Sequence, residues 1–288
     1  MRIVVTGAGG MLGHALGRVM GSEEVDYKPL GRAACDVTDK NGVEAAFRSE
    51  RPDLVIHAAA FTLVDDCESE EPQAFAVNDR GTRNVAEAAS ASGARLIYVS
   101  TDYVFDGQKQ APYTEEDAPQ PINTYGNSKL AGERAVREEL PADRWVIVRT
   151  AWLYGEGGRN FVDLMAERAM GGQPLSVVDD QVGNPTWTMV AARAMKVIAE
   201  AELSGLYHVA CGGAVSWCDF AGEILRLTGA EVSLEAISTG ELARPAKRPS
   251  FSALDTTKFT RDSGVPLVTW QEALADYLGE RGLLAGGR

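Results

Sequence analysis

Histidine and cysteine are scarce in this chain of 288 residues, which has three of the first and four of the second. Cys35, Cys67, Cys211 and Cys218 form no CxxC pair, and their spacings fit neither a zinc site nor a disulfide framework. Reduced thiols in a cytosolic protein are expected. His14, His57 and His208 are scattered, so no metal is expected on them. No apolar run approaches the length of a membrane helix, and the opening "MRIVVTGAGG" is too short and too broken for a signal peptide. A cytoplasmic protein without a membrane partner is the expectation. A basic stripe is also missing. The formal net charge is −13, which argues against nucleic acid as a partner. In so acidic a chain an anionic substrate must be gripped by local cations, so any Arg/Lys cluster carries information.

What is present is an ordinary globular composition, 45% hydrophobic and 24% charged, in a chain long enough for a large core. Short apolar runs alternate with helical stretches. "RIVVTG", "DLVIHAAA" (Asp53 to Ala60), "RLIYVST" and "RWVIVRTAWLYG" read as strands. "MLGHALGRVM", one long helix from "EPQAFAVN" to Gly93, and a helix from about Tyr125 to Leu140 lie between them. Strands joined by helical crossovers predict an α/β fold, a Rossmann-like doubly wound parallel sheet that binds ligands beyond the carboxyl ends of its strands. The pattern loosens after Gly155. Residues 1–155 are therefore expected to form the nucleotide-binding domain, with returning segments near 186–211. Residues 156–288 are expected to form mainly a smaller, interleaved C-terminal substrate lobe.

Between the first strand and helix, "TGAGGMLGHAL" spaces Gly7, Gly10 and Gly13 three apart. A tight turn and a close approach to pyrophosphate both need residues without a Cβ, and the helix N-terminus offers free N–H groups to phosphate. Downstream, Arg32 in "GRAACDVTD" stands where a second strand ends. A guanidinium there suits a 2′-phosphate, and a solvated loop arginine is the bland alternative. Asp36 can cap the following helix or serve the adenosine end of a dinucleotide.

In "TYGNSKLAGE", Tyr125 and Lys129 stand four apart, on one helix face. An ammonium beside a phenol stabilises the phenolate and lowers a pKa that is ordinarily about 10. The tyrosine can then give a proton to a carbonyl oxygen while a cofactor delivers hydride. Thr101, closing "RLIYVST", can donate a hydrogen bond to the same oxygen. The glycine loop, "HAAA", "ST" and "YGNSK" follow one another in the order such a site requires.

Glycines at this spacing resemble those of extended short-chain dehydrogenases/reductases. Over nearly the whole chain, "CDVTD", "HAAAFTLVDDCE", "STDYVFDG", "YGNSKLAGE", "RTAWLYG", "DDQVGNPTW" and "RPSFSALD" resemble the dTDP-4-dehydrorhamnose reductase family. The resemblance implies NAD(P)H-dependent reduction of the C4 ketone of dTDP-4-dehydro-β-L-rhamnose, with NADP(H) or NAD(H) as cofactor and a nucleotide sugar as substrate. It implies Thr101, Tyr125 and Lys129 as catalytic residues. Gly7, Gly10, Met11, Leu12, Asp36, Val37, Ala58, Ala59, Ala60 and Thr62 match the cofactor loops, and Asn78 either joins them or holds them in shape. Asp102 and Trp152 fall at the substrate, with an indole face suited to the apolar side of a deoxysugar. Arg244, Lys247 and Arg248 make a basic cluster in an acidic chain, suited to the substrate's diphosphate.

The order Thr101-Asp102-Tyr103 lacks the Asp–Glu pair of sugar-nucleotide 4,6-dehydratases, which favours plain carbonyl reduction. Some family members form magnesium-bridged dimers through a glutamate just after the glycine loop. Ala15 stands in that region here, so Mg²⁺ is not expected and a homodimer stays open. Two alternatives remain: a reductase or epimerase of another nucleotide ketosugar, and a non-catalytic NADP-binding regulatory subunit.

Overall fold

The protein is described by a computed structural model, in which residues 1–21 and 25–286 are described. Six parallel strands form the central sheet. They are β1 (Arg2–Thr6), β2 (Asp26–Leu30), β3 (Leu54–His57), β4 (Arg95–Thr101), β5 (Trp145–Thr150) and a last strand, Gly205–His208. From one edge the order is the last strand, β5, β4, β3, β1, β2. Chain order reverses at β1, so the loops after β1 and β3 border the crevice where such folds bind ligands.

The strands are covered on both faces, and alternate residues enter different cores. Ile3, Val5, Leu54, Ile56, Val146 and Val148 pack into one core with the helices Met11–Met20 and Thr188–Glu200. Val4, Val55, Leu96, Tyr98 and Ile147 pack on the other face with Val43, Phe47, Val85 and Val136. Only β2 is poorly buried. It is an edge strand, which explains how Pro29 is accommodated opposite Val5.

Beyond β5 the chain builds three two-stranded ribbons, pairing Leu153–Tyr154 with Thr186–Trp187, Leu175–Val178 with Leu234–Ile237, and Val182–Gly183 with Val215–Ser216. The helices Phe161–Met170, Trp217–Thr228 and Trp270–Glu280 pack around them. The first core runs without a break into these helices through Tyr154, Phe220 and Tyr277.

Two expected elements are interrupted. The expected continuous helix up to Gly93 is divided into Glu71–Phe75, a π-turn over Ala76–Gly81, and Thr82–Ser92, closed by Gly93 in the left-handed conformation. The expected strand "RWVIVRTAWLYG" stops at Thr150, because Trp152 adopts a positive φ of 48° before a short new strand begins. Among the described residues no helix is long and apolar enough to cross a membrane.

Candidate active site

Gly7 turns the chain out of β1 at φ 72°, and a Cβ there would sit 2.4 Å from the Ala59 nitrogen. Only glycine lets the loops after β1 and β3 come this close. The helix Met11–Met20 then begins at Gly10, whose side offers no capping group. Its first-turn N–H groups are therefore left for an external acceptor. A Cβ on Gly9 would meet nothing within 4 Å, and one on Gly10 would meet only the Gly7 carbonyl at 3.5 Å. A bare, electropositive cradle of this kind fits a dinucleotide pyrophosphate.

That cradle opens into a cleft of about 1130 Å³. The cleft is lined by Gly7, Gly10, Met11 and Leu12 from the first loop, and by Arg32, Asp36 and Val37 from the second. Ala58, Ala59, Ala60 and Thr62 line it after β3, and Thr101 and Asp102 after β4. Tyr125, Lys129 and Trp152 complete the set; of the sequence-predicted site residues, Asn78 and the basic cluster Arg244, Lys247 and Arg248 do not line it.

Arg32 is largely exposed and lies 3.4 Å from Asp36. Asp36 caps no helix. It accepts from the Thr38 backbone N–H at 3.0 Å and from the Thr38 hydroxyl at 2.7 Å. Those bonds, helped by Arg32, hold its carboxyl below the usual carboxylate range.

The helix Thr124–Glu139 carries the Tyr–Lys pair. Asn123 caps it by accepting from the Gly126 N–H at 2.7 Å, and Pro141 follows its end. Gly126 is required by packing, since a Cβ would come within 2.1 Å of the Tyr103 carbonyl oxygen. Farther along the helix, buried Glu133 accepts from Arg149 Nε at 2.8 Å, from Arg149 Nη2 at 2.7 Å and from the Ser100 hydroxyl at 2.6 Å. This fork joins the helix to the ends of β4 and β5, where Ser100 and Thr150 line the cleft.

Lys129 is buried, with its ammonium donating to the Val99 carbonyl at 2.7 Å and lying 4.2 Å from the Tyr98 ring centroid. Burial lowers its pKa to about 7, although Glu133 opposes the shift. Tyr125 stands edge-on to Tyr103, ring centroids 5.8 Å apart. Loss of hydration raises its phenol above the ordinary value, and a hydrogen bond with Thr101 pulls in the other direction. The expectation that Lys129 would make the phenol more acidic is therefore corrected. In the ligand-free cleft burial governs both groups and pushes each toward its neutral form.

The Thr101 hydroxyl donates to Asp102 at 3.0 Å and accepts from the Tyr103 N–H at 3.2 Å. Asp102 also accepts from the buried Ser252 hydroxyl at 2.6 Å. Burial nevertheless raises its carboxyl to about 6.

Arg248 does not line the cleft. It reaches both oxygens of Asp65, at 2.9 and 2.8 Å, and donates to the Ala246 carbonyl at 2.8 Å. Its charge is neutralised by a carboxylate from the helix Val64–Ser69, a partner that sequence distance conceals. Asn78 holds the loops together: it accepts from the Phe61 N–H at 2.8 Å and donates to the Phe61 carbonyl at 3.0 Å and to Ser128 Oγ at 2.9 Å. Tyr103 and Trp217 line the cleft without having been assigned there. Tyr103 could have been found from its place beside Thr101; Trp217 arrives only through strand pairing far along the chain.

The model of the RmlD substrate binding domain family matches residues 1–282. A dTDP-4-dehydrorhamnose reductase of Streptomyces griseus is 43% identical, covering 96% of this chain and 92% of the relative. A probable dTDP-4,6-dihydroxy-2-methyloxan-3-one 4-ketoreductase of Streptomyces antibioticus is 39% identical, covering 96% and 94%. Among solved structures, a dTDP-4-dehydrorhamnose reductase of Bacillus anthracis in complex with NADP is 38% identical with a TM-score of 0.94, covering 97% and 99%. With a match over nearly its whole length and relatives at these identities, the chain belongs to the dTDP-4-dehydrorhamnose reductase family of extended short-chain dehydrogenases/reductases.

Proposed function

We propose that this protein reduces the C4 ketone of dTDP-4-dehydro-β-L-rhamnose to dTDP-L-rhamnose with NADPH, as an oxidoreductase of dTDP-rhamnose biosynthesis. The observation that carries the reading is the convergence of Thr101, Tyr125 and Lys129 on the cleft that the glycine loop opens. Residues 1–155, with the returning stretch near 186–211, hold the cofactor, and residues 156–288 mainly hold the nucleotide sugar.

Gly10, Met11 and Leu12 receive the pyrophosphate, Arg32 and Asp36 border the adenosine end, and Ala58 to Ala60 floor the dinucleotide channel. Bound there, a nicotinamide dinucleotide supplies the hydride. Tyr125 gives its proton to the C4 oxygen. A phenol raised by burial enters this step protonated, as a general acid must. The Thr101 hydroxyl donates to the same oxygen as negative charge develops, once it turns from Asp102. Lys129, as the ammonium it is below about pH 7, returns a proton to the phenolate and holds ribose hydroxyls.

A second reading is favoured by the relatives' names. One resembles this chain at 39% identity as a probable 4-ketoreductase of another dTDP sugar, and another at 37% is a dTDP-4-keto-6-deoxy-D-glucose reductase of Streptomyces niveus. By their names, what separates them is the ketosugar that is reduced. The test offers NADPH and freshly prepared nucleotide 4-ketosugars to the purified protein and reads the product by NMR. The expected product is dTDP-L-rhamnose. Preferred turnover of another nucleotide ketosugar supports the second reading, and no oxidation of NADPH with any ketosugar supports a non-catalytic NADP-binding role.

A further inference from the structure

Trp152 is one of three non-glycine residues with a positive φ among the described residues, at 48°. A bulky side chain holds such a conformation only where its surroundings over-determine it. Two contacts do so. The Trp217 ring lies parallel to the Trp152 ring, at 3° and 3.6 Å between centroids. Gly183 packs over the indole so closely that a Cβ there would lie 2.5 Å from Cε2 and 2.8 Å from Nε1. Both contacts come from one built unit. Val182–Gly183 pairs antiparallel with Val215–Ser216, which places Gly183 opposite Val215. Ser216 then caps the helix Trp217–Thr228 by accepting from the Asp219 N–H at 3.0 Å. Phe161 backs Trp217 from a further helix, with centroids 4.5 Å apart.

We infer that Trp217 and Gly183 are positioning residues, which clamp the indole of Trp152 between them and so fix how it meets the substrate's sugar. Trp152 leaves the end of β5, while both jaws of the clamp come from the later ribbon. The wall of the sugar pocket is therefore completed only when that ribbon docks on the strand end. Glycine at position 183 makes room for the ring, and the aromatic plane at position 217 sets its tilt. This inference rests on the ketosugar-reductase reading given above.

The test compares Trp217→Phe, Trp217→Leu and Gly183→Ala in the full-length protein with the wild type. Three quantities are read: the exciton couplet of stacked indoles in the far-ultraviolet circular dichroism of the ligand-free protein, the NADPH dissociation constant, and kcat and KM for the ketosugar. The wild type is expected to show the couplet. Trp217→Leu is expected to lose it, to keep its NADPH affinity, and to lose on the order of 10- to 100-fold in kcat/KM, chiefly through KM, because the sugar loses an ordered apolar contact while the reacting groups are unchanged. Trp217→Phe keeps an aromatic plane and is expected to recover most of that loss. Gly183→Ala, with both tryptophans present, is expected to alter the couplet and raise KM alike. A wild type without the couplet overturns the inference. So does a folded Trp217→Leu with unchanged kcat/KM, or a Trp217→Phe as impaired as the leucine variant. If the wild type turns over no ketosugar, the reading of the reaction fails and the sugar-facing role with it. That result is told apart by a couplet and an NADPH affinity that persist.

Discussion

Asp102 is nearly inaccessible, yet it is a carboxylate whose bonds from Thr101 and Ser252 do not offset its burial. Its folded-state pKa of about 6 lies above its ordinary value of 3.8, so the folded protein binds this proton more tightly than the unfolded chain does. The corresponding stability is fully present below the ordinary value and is lost as pH rises through about 6. Linkage puts the loss at about 3 kcal/mol as an upper figure. Urea unfolding of wild type and Asp102→Asn at a series of pH values should give a difference that grows between about pH 4 and pH 7 and favours the variant at the alkaline end. A pH-independent difference would show that Asp102 is ionised in the fold at all these values. Lys129 has the opposite sense. Its pKa is depressed to about 7, so its charge is present below that value and lost above it. NADPH affinity is therefore expected to weaken as the pH rises through about 7, and the Lys129→Met variant should bind more weakly with a flat profile. Calorimetric titration of NADPH across this range checks it, and a sloped profile in the variant would assign the effect elsewhere.

At the scale of elements, the signals that were legible are local ones. The strand–glycine–helix start, the C-terminal stop at Gly93 and the helix bearing Tyr125 and Lys129 all follow from periodicity, caps and breakers within a few residues. The π-turn at Ala76–Gly81 was not legible, because Asn78 is turned inward by bonds to Phe61, in the loop after β3, and to Ser128, in the helix Thr124–Glu139. The partner of Arg248 was hidden for the same reason. The basic cluster is plain in the sequence, but Asp65, 183 positions away, is not a visible partner. The structure makes Arg248 a tie between the loop at Ala246 and the helix Val64–Ser69. Arg248→Ala and Asp65→Ala are each expected to destabilise the fold by about 1–3 kcal/mol, and the double variant by less than their sum. Chemical denaturation of the set measures this. Additive losses, or a large rise in KM without a loss of stability, would return Arg248 to the substrate.

At the scale of the whole molecule, the parallel sheet and its crossovers were legible because buried strands and amphipathic helices alternate at short range as far as β5. The later ribbons were less so. Their strands are two to four residues long, and they gain their partners through pairings such as Val182–Gly183 with Val215–Ser216. The expected face of Trp152 illustrates the limit: its position in the pocket was readable, but the ring stacked behind it was not. What the fold accomplishes is to bring the carboxyl ends of β1, β3, β4 and β5 and one helix to a single cleft, where a phenol, an ammonium and a hydroxyl face the same space. Replacing that phenol tests the account most directly. Tyr125→Phe should bind NADPH as the wild type does while kcat for the ketosugar falls by about 10²- to 10⁴-fold, the usual worth of a general acid. Wild-type turnover by a folded Tyr125→Phe enzyme would contradict it.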